Sequence, residues 1–340
     1  MKNFKNHSAV SFQSVQTYLI GAIAFAGATS IAAPSEHEAV LVPDLPIGIT
    51  SFGAASLGSD IYVYGGHSGE AHSYSVETTL PNLWKLSLSQ SDDWSSLPAT
   101  SRSQGASLLA HKGRLIRIGG LQAANQSDED ERLVSLNEVG AFDPVSKSWS
   151  DLTPLPKPRS SHDSALLDGA IYVIGGWTLN GVSKDAEWFE SMYVGEIGED
   201  KITWRSEPQP FKVRANAVAA FNGKVYSLGG MGTEEGTTND LNIYDVKSGI
   251  WSKGPSLPKG IMDGFGASAC VVGDRLYVSA YMGIVYQLSV NGESWNEVGN
   301  LQERRFFHRL VPVGSNRILA IGGANRQSGH LSSVEVFEIP

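Results

Sequence analysis

The sequence predicts an all-β fold built from repeated antiparallel sheets. Short runs of β-branched and aromatic residues recur, a Gly-Gly pair follows most runs, and a tryptophan comes later in five of the six repeats. Successive pairs begin 54, 56, 54, 50 and 43 residues apart, and a period of about 50 residues is typical of propeller blades. The six positions are Gly65-Gly66, Gly119-Gly120, Gly175-Gly176, Gly229-Gly230, Ser279-Ala280 and Gly322-Gly323.

The apolar run before each pair is predicted to be the second strand of its unit. Residues 61–64 and 171–174 show the pattern most clearly. Turn sequences such as Asp168-Gly169 and Asn222-Gly223 precede these runs and favour tight hairpins. Each unit is therefore expected to begin with a β-hairpin whose first strand lies before the turn.

Two further strands are predicted after each pair. Residues 139–144 and 241–245 are the clearest third strands. A tryptophan then opens an outer fourth strand, as short aromatic and β-branched runs favour extended structure. These tryptophans are Trp94, Trp149, Trp204, Trp251 and Trp295.

The two ends of the chain are predicted to complete one sheet together. The sixth unit ends at residues 334–339 with its third strand, and no tryptophan strand follows. Residues 39–46 resemble an outer strand, since their Leu45-Pro46 matches the Leu-Pro of earlier units. An N-terminal strand in the last sheet would leave no unpaired edge at the point of closure.

The repeat resembles the kelch repeat over roughly residues 36–340. In that family the double glycine ends the second strand of a four-stranded blade, and the tryptophan opens the fourth. The segment Ala141-Phe142-Asp143-Pro144, followed by Trp149, closely resembles the motif found at this point of the kelch repeat. The resemblance implies a six-bladed kelch-type propeller, with four antiparallel strands per blade, as a single domain over residues 34–340.

Residues 1–33 are predicted to be a secretory signal. Lys2 and Lys5 precede an apolar stretch at 18–28, and no acidic residue occurs before Glu36. An uncleaved anchor is the alternative, although the apolar stretch is shorter than the ~20 residues that span a bilayer. Either reading places the propeller outside the cytoplasm, exported to a periplasm or secreted, and cleavage would leave no stable membrane span.

Charge and cysteine content narrow the possible partners. Removal of residues 1–33 would leave 24 basic against 35 acidic residues, and this acidic chain without a basic stripe argues against nucleic acid. The single cysteine, Cys270, is predicted to be buried and cannot form an intrachain disulfide. We find no phosphate loop or Cys/His metal set in the sequence, and the acidic run 127–131 favours a solvated loop over a calcium site. No cofactor or metal is expected, and a monomer is expected.

Arginines before the first strands are the leading candidates for ligand binding. They precede their unit's glycine pair by 15 to 18 residues, which predicts one common depth on one face, and Asp263 takes the comparable place in the fifth unit. In kelch propellers that this chain resembles, arginines here line the channel mouth and hold acidic ligands through planar donors. The alternative is that each arginine joins neighbouring blades. The proposed ligand-binding residues are Arg102, Arg159, Arg214, Arg304, Arg305 and, as a platform for a sugar ring, Trp177.

Two functions follow from this pattern. The first is an exported binding protein that holds an acidic peptide or glycan. The second is an enzyme similar to the kelch-type sialic acid mutarotases, in which a base and an acid exchange the anomers of N-acetylneuraminate. Whether the chain is an enzyme stays open, with binding favoured over catalysis, and a structural role is favoured for the histidines. The candidate proton carriers are His162, Asp163, His308, Asp263, Glu234 and Glu235.

Overall fold

The computed structural model describes residues 42–90, 93–182, 185–233 and 236–340, and they form antiparallel sheets joined by turns and loops. The all-β prediction is confirmed. The predicted secretory signal at 1–33 and residues 39–41 of the predicted N-terminal strand lie outside the described residues, and residues 42–46 are described but do not form a strand. Six main sheets, numbered 1 to 6 along the chain, follow one another from residue 53 to residue 338.

Sheets 1 to 3 have four main strands each. Sheet 1 consists of β1 (Gly53–Leu57), β2 (Asp60–Tyr64), β3 (Leu83–Ser87) and β4 (Ser95–Leu97). The next strands are β5 (Ser107–His111), β6 (Arg114–Ile118), β7 (Leu121–Ala123), β8 (Leu133–Ser135), β9 (Val139–Asp143) and β10 (Ser148–Asp151), of which β5, β6, β9 and β10 form sheet 2. Then come β11 (Ser160–Leu167), β12 (Ala170–Thr178), β13 (Asn180–Gly181), β14 (Glu187–Trp188), β15 (Ser191–Ile197) and β16 (Ile202–Pro208), of which β11, β12, β15 and β16 form sheet 3.

Sheets 4 to 6 repeat the pattern with fewer additional short strands. Sheet 4 consists of β17 (Ala217–Phe221), β18 (Lys224–Leu228), β19 (Leu241–Asp245) and β20 (Ile250–Lys253). Sheet 5 consists of β21 (Ser268–Val272), β22 (Arg275–Ser279), β23 (Ile284–Leu288) and β24 (Trp295–Asn300). Sheet 6 consists of β25 (Arg309–Val313), β26 (Arg317–Ile321) and β29 (Val334–Glu338). A short hairpin of β27 (Ala324–Asn325) and β28 (Gly329–His330) connects β26 to β29.

Tight turns and burial explain the inner hairpin of each sheet. Asp168-Gly169 and Asn222-Gly223 both have positive φ at each turn residue, which is the geometry that matches strand twist. The second strands, such as β2 and β12, are buried over four or more consecutive residues. Both of their faces are covered because each sheet packs between two others, so the sequence shows a continuous apolar run.

The first strands form a closed circle. Each of β1, β5, β11, β17 and β21 contacts the first strand of the next sheet, and β25 of sheet 6 contacts β1. A cavity of about 230 Å³ is lined by residues of all six first strands. The hydrophobic core lies outside this circle, in clusters that each combine residues of two neighbouring sheets, such as Ile116 with Val173 and Leu228 with Val278.

Six backbone hydrogen bonds close this circle at one level. Each sheet contributes one residue with a positive φ, and we name these six residues the axial ring. In five sheets this residue lies two positions before the first strand, and in sheet 3 it is the second residue of β11. Each donates its N–H to the ring residue of the preceding sheet. The bonds run from Gly105 to Ser51 (2.6 Å), Ser161 to Gly105 (3.1 Å), Ala215 to Ser161 (2.8 Å), Gly266 to Ala215 (2.9 Å), Phe307 to Gly266 (2.7 Å) and Ser51 to Phe307 (3.3 Å).

The glycine pairs allow adjacent sheets to approach closely. Both glycines of all five pairs have positive φ. The second glycine donates its N–H to a carbonyl of the next sheet, two residues before that sheet's ring residue. At Gly229 (φ +60°) an added Cβ would lie 2.4 Å from the carbonyl oxygen of Gly264, so the contact excludes any side chain. The five bonds are Gly66 to Ser103, Gly120 to Arg159, Gly176 to Val213, Gly230 to Gly264 and Gly323 to Ile49.

Sheet 5 departs from this arrangement. Neither Ser279 nor Ala280 has a positive φ. Instead, Gly283 donates to the carbonyl of Ala280 at 2.9 Å, which closes a tight turn directly into β23. The long connection that follows the glycine pair in sheets 1 to 3 is therefore reduced to four residues in sheet 5.

The repeated tryptophans join each sheet to the one before it. Each indole N–H donates to a main-chain carbonyl just after the preceding outer strand. Pro43 occupies that place for Trp94, and Leu45 N donates to Ser332 O at 2.8 Å. The N-terminal segment therefore bonds to sheet 6 where an outer strand would end. The pairs are Trp94 to Pro43, Trp149 to Pro98, Trp204 to Thr153, Trp251 to Pro208 and Trp295 to Pro255.

A pair of glycine variants tests the close approach of sheets 4 and 5. Gly169→Ala adds a methyl group in open space and should lower the free energy of unfolding by about 1–2 kcal/mol, the cost of its left-handed backbone. Gly229→Ala carries the same backbone cost plus overlap with the Gly264 carbonyl, so we expect a loss of at least about 3 kcal/mol. Urea denaturation measures both, and equal losses would contradict the packing role of the glycine pair.

Candidate functional site

The arginines predicted to bind ligands do not lie at one depth. The axial ring provides a common reference, and Arg102 and Arg304 lie three residues before their ring residues. Arg159 and Arg305 lie two residues before theirs, and Arg214 lies one residue before. The five arginines therefore do not share the common depth that the sequence predicted. Spacing from the glycine pair does not fix the direction of a side chain.

Arg159 and Arg305 are fully buried. The Arg159 guanidinium donates to the carbonyls of Gly175 (3.3 Å) and Ser191 (3.0 Å) and stacks on Phe189, with 3.7 Å from Cζ to the ring centroid. Burial lowers the pKa of Arg159 to about 10, and Tyr193 partly offsets this. The group stays protonated near neutral pH, and its donors serve the protein's own carbonyls.

Arg305 has the equivalent position in sheet 6. It donates to the carbonyls of Gly322 (2.9 Å) and Ser333 (3.1 Å) and forms an ion pair with Glu335. A buried guanidinium that satisfies carbonyls between two strands has a structural role. We therefore do not retain Arg159 or Arg305 as ligand contacts, because neither offers an accessible donor.

Arg102 and Arg304 are exposed. Arg102 Nη1 donates to the carbonyl of Thr79 at 3.0 Å, which joins sheet 2 to the long connection of sheet 1. The main chain of Arg304 is held by Asn325, whose side-chain amide donates to the Arg304 carbonyl at 3.0 Å. Ligand contact by these two arginines stays a prediction.

Arg214 and Trp177 are brought together by the fold. The Arg214 guanidinium carbon lies 4.1 Å from the centroid of the Trp177 ring, a close cation–π contact. It also lies 5.6 Å from the Trp188 ring and 5.8 Å from the Phe265 ring. The two tryptophans meet edge to face at 5.4 Å because β14 pairs with the end of β12. Residues of sheets 3, 4 and 5 therefore surround one cation.

The Arg214 guanidinium uses few of its donors. Nη2 lies 3.1 Å from the sulfur of Met231, and Nε is buried with no hydrogen-bond partner among the described residues. Burial lowers the pKa of Arg214, and the nearby Tyr74 has a smaller opposite effect. A partly buried cation whose fork of N–H groups lacks protein acceptors is suited to bind a carboxylate.

A small lobe holds the tryptophan platform in place. The connections of sheets 1, 2 and 3 form a separate apolar cluster of Leu121, Ala123, Leu133 and Leu179. The strands β7, β8 and β13 give this lobe a sheet of its own. Trp177 packs against the cluster, so its ring is fixed before any ligand binds.

An aromatic cluster continues from Arg214 toward sheet 6. Phe265 and Phe307 are in contact, with centroids 5.0 Å apart, and Phe306 lies 5.1 Å from Phe307. Tyr281, from the tight turn of sheet 5, meets Phe306 edge to face at 5.6 Å. The three phenylalanines are partly exposed, and Tyr281 is buried beneath them.

Asp163 and Arg309 form an ion pair inside the circle of first strands. Arg309 Nη1 lies 3.0 Å from Asp163 Oδ1, and Arg309 Nε donates to the carbonyl of Phe52 at 2.9 Å. Asp163 also accepts from Val218 N at 2.9 Å and from Ser107 Oγ at 3.4 Å. The pair joins sheets 1, 2, 3, 4 and 6, so both oxygens of the Asp163 carboxylate have structural partners.

His162 and His308 are also enclosed. Both are buried, and neither ring has a hydrogen-bond partner among the described residues. Burial, with smaller effects of Arg159 and Arg309, lowers the pKa of His162 to about 3. Burial likewise places the pKa of His308 well below its usual value, with Arg305 and Arg309 contributing. Both histidines are therefore neutral near pH 7.

The remaining sequence candidates lie elsewhere. Asp263 has a positive φ and accepts a hydrogen bond from Thr237 Oγ1 at 3.2 Å, between sheets 4 and 5. Glu234 and Glu235 lie outside the described residues. Cys270 is buried, as predicted, and burial raises the pKa of its thiol.

Two further findings concern metals and membranes. Within residues 42–90, 93–182, 185–233 and 236–340, no group of three or more acidic, histidine or cysteine side chains is placed to hold a metal ion. None of the described segments is a helix long and apolar enough to cross a bilayer.

Sequence reasoning missed the phenylalanines and Arg309. The signal was present in Phe306-Phe307, because Phe307 stands where the other units have Ser, Gly or Ala. When the six units are aligned on their axial ring residues instead of their glycine pairs, this substitution becomes visible. The same alignment shows that Asp163 and Arg309 hold equivalent places in sheets 3 and 6.

Comparisons with known proteins agree with this geometry. The Kelch motif matches residues 214–258. The chain is 27% identical over 239 residues to Kelch-like protein 35 of Mus musculus, which covers 70% of this chain and 36% of the relative. It is 35% identical over 138 residues to Kelch-like protein 33 of Homo sapiens, covering 40% of this chain and 23% of the relative. The chain thus spans about a third or less of these relatives' length.

The fold also matches a solved structure. The structure of YjhT superimposes with a TM-score of 0.70 at 17% sequence identity, covering 88% of this chain and 97% of the other. That likeness concerns the fold alone. The repeated glycine pairs, the motif at 214–258 and the kelch-like relatives support a kelch-repeat family for this chain, and the shared fold supports a kelch-type propeller.

Proposed function

We propose that this kelch-repeat interaction propeller is an exported binding module for an acidic partner. The partner would present a carboxylate to Arg214, on the face of the propeller that carries the long connections of sheets 1 to 3. Loops held by a rigid scaffold are the usual place for such sites. Export rests on the sequence of residues 1–33, and a free acidic peptide or an acidic glycan would both satisfy the charge requirement.

The contact between Arg214 and Trp177 carries the proposal. The ring centroid lies 4.1 Å from the guanidinium carbon and fixes its plane, while Nη2 has only the weak sulfur acceptor of Met231 among the described residues. A fixed fork loses little conformational entropy when it binds, and a charge-assisted hydrogen bond is about twice as strong as a neutral one. The chain has a net charge of −9, so this cation would be a local exception that selects acidic groups.

Catalysis on an acidic sugar is the alternative function. It would require a free proton carrier beside the bound carboxylate. Asp163 is held in the ion pair with Arg309, Asp263 accepts from Thr237, and His162 and His308 are enclosed. Because these four side chains are already paired or enclosed, we favour binding over catalysis as the role of the described residues.

Replacement of Arg214 tests the binding function. Arg214→Gln should weaken binding of a hexaglutamate peptide or of N-acetylneuraminate at least tenfold, because it removes one charge-assisted bond of about 1.5–3 kcal/mol. Isothermal titration calorimetry measures the change. Arg275→Gln is the matched control, since Arg275 pairs with the exposed Asp274 in the β21–β22 hairpin. Unchanged affinity in Arg214→Gln would contradict the proposal.

The same sample tests the alternative. Anomer exchange of N-acetylneuraminate can be followed by NMR with and without protein. Exchange at the uncatalysed rate in the presence of protein agrees with a binding role. Exchange that is accelerated by the wild-type protein would favour the mutarotase and displace our proposal.

The enclosed histidines predict a dependence of stability on pH. Burial lowers the pKa of His162 to about 3, and the pKa of the buried His308 is lowered as well. The unfolded chain therefore binds protons below about pH 6.5 that the folded protein does not. The stabilising effect of neutral histidine is complete above pH 6.5 and decreases as the pH falls toward the folded values.

We expect the free energy of unfolding to fall between pH 6.5 and 4.5 by about 1.4 kcal/mol per pH unit for each enclosed histidine. Urea denaturation at several pH values measures the slope. His162→Asn should reduce it, and asparagine is acceptable there because Asn216 holds the equivalent place in sheet 4. The exposed His72→Asn is the control. An unchanged slope in His162→Asn would show that His162 is not the titrating group.

A further inference from the structure

We infer that the surface formed by Arg214 and the three phenylalanines Phe265, Phe306 and Phe307 docks an extended peptide segment of a protein partner. The segment would place an acidic side chain on Arg214 and an apolar or aromatic side chain on the phenylalanines. This inference rests on the proposed function and specifies its partner as a peptide. We refer to Phe265, Phe306 and Phe307 as the phenylalanine cluster.

Distances connect the cation to the cluster without a gap. The Arg214 guanidinium carbon lies 5.8 Å from the Phe265 centroid, and Phe265 lies 6.2 Å from Phe306. Extended chain advances ~3.3 Å per residue, so three or four residues of peptide cover this span. One short segment can therefore reach the charge and the rings together.

The short turn of sheet 5 leaves the phenylalanine cluster uncovered. In sheets 1 to 3 the connection after the glycine pair carries additional bonds or short strands, such as β7 and β8. In sheet 5 the chain turns back at Gly283, and Tyr281 packs beneath Phe306. Partly exposed rings in a group, next to a desolvated cation, are typical of interaction surfaces.

Backbone strain at Phe307 is a separate indication of function. Phe307 belongs to the axial ring and has a φ of +54°, a conformation in which a bulky side chain is a true outlier. The equivalent residues are Gly, Ser or Ala, of which glycine adopts this conformation without the Cβ penalty and the others carry small side chains. Retention of a phenylalanine at a strained position, where smaller residues fit the fold, is expected when the ring itself is used.

The chemistry of the surface favours a peptide over a glycan. Phenylalanine edges carry no hydrogen-bond donor or acceptor, whereas a sugar needs partners for its hydroxyl groups. The indole N–H of Trp177 is buried without a partner and does not reach solvent as a donor. Arg304 is exposed and lies two residues before Phe306 in the chain, so a second positive charge in this segment adds to the preference for acidic sequence.

Two matched peptides test this inference on the full-length protein. Both are blocked hexapeptides with two adjacent glutamates, and they differ only in a phenylalanine or a serine two positions further on. Fluorescence polarisation measures their affinities. We expect the phenylalanine peptide to bind roughly tenfold more tightly, the effect of burying one aromatic side chain against rings.

Variants separate the contribution of the rings from that of the fold. Phe306→Ser and Phe307→Gly should each reduce the preference for the phenylalanine peptide below about threefold and leave the serine peptide unaffected. Phe307→Gly also removes the left-handed strain, so its melting temperature should stay within about 4 °C of the wild type. Loss of preference in a variant of unchanged stability identifies the rings as the contact.

The outcomes distinguish this inference from the proposed function. Equal affinity of the two peptides, with Arg214→Gln still weakening both, would overturn the inference and leave the function standing. Binding of neither peptide, together with binding of N-acetylneuraminate that is sensitive to Arg214→Gln, would reject the peptide in favour of a glycan. Binding of none of these probes would reject both proposals.

Discussion

The closed ring of backbone hydrogen bonds at the axis is the constraint on which the rest of the structure depends. Each of the six ring residues must adopt a positive φ so that its N–H points to the preceding sheet and its carbonyl to the following one. A circle of this kind has no free end, so every sheet is held at the same distance from the axis. Gly105 and Gly266 follow from this geometry, because left-handed backbone disfavours residues with a Cβ atom.

The same constraint explains the buried charges. Asp163 and Arg309 hold the same place after the ring residue in sheets 3 and 6, and these two sheets are three steps apart in a circle of six. Their side chains therefore meet across the axis and compensate each other, as buried ions require. Arg159 and Arg305 likewise share one register, and each satisfies carbonyls within its own sheet. Residues at equivalent positions of sheets 3 and 6 thus have related structural roles.

The sequence predicted the strands, the glycine pairs and the tryptophans well, because each depends on local chemistry. A double glycine marks backbone that other residues rarely adopt, and Trp149 or Trp251 marks a repeated hydrogen bond to the preceding sheet. The arginines were harder to place. A shift of one residue turns a side chain to the other face of extended chain, so Arg214 reaches the surface whereas Arg159 lies inside. The Phe265–Phe307 contact joins two sheets and leaves no local pattern.

Function in a repeat fold is expected where a unit departs from the others, since a residue shared by all units is explained by the fold. Two departures lie side by side here. Sheet 5 replaces Gly-Gly by Ser279-Ala280 and shortens its connection, and sheet 6 places Phe307 in the axial ring. The short connection of sheet 5 leaves phenylalanine rings uncovered, and Phe307 adds a further ring to them. It does so although left-handed backbone at a bulky residue costs about 1–3 kcal/mol. Stability of the ring alone would favour glycine at 307, so the phenylalanine must be explained by what its side chain contacts beyond the ring.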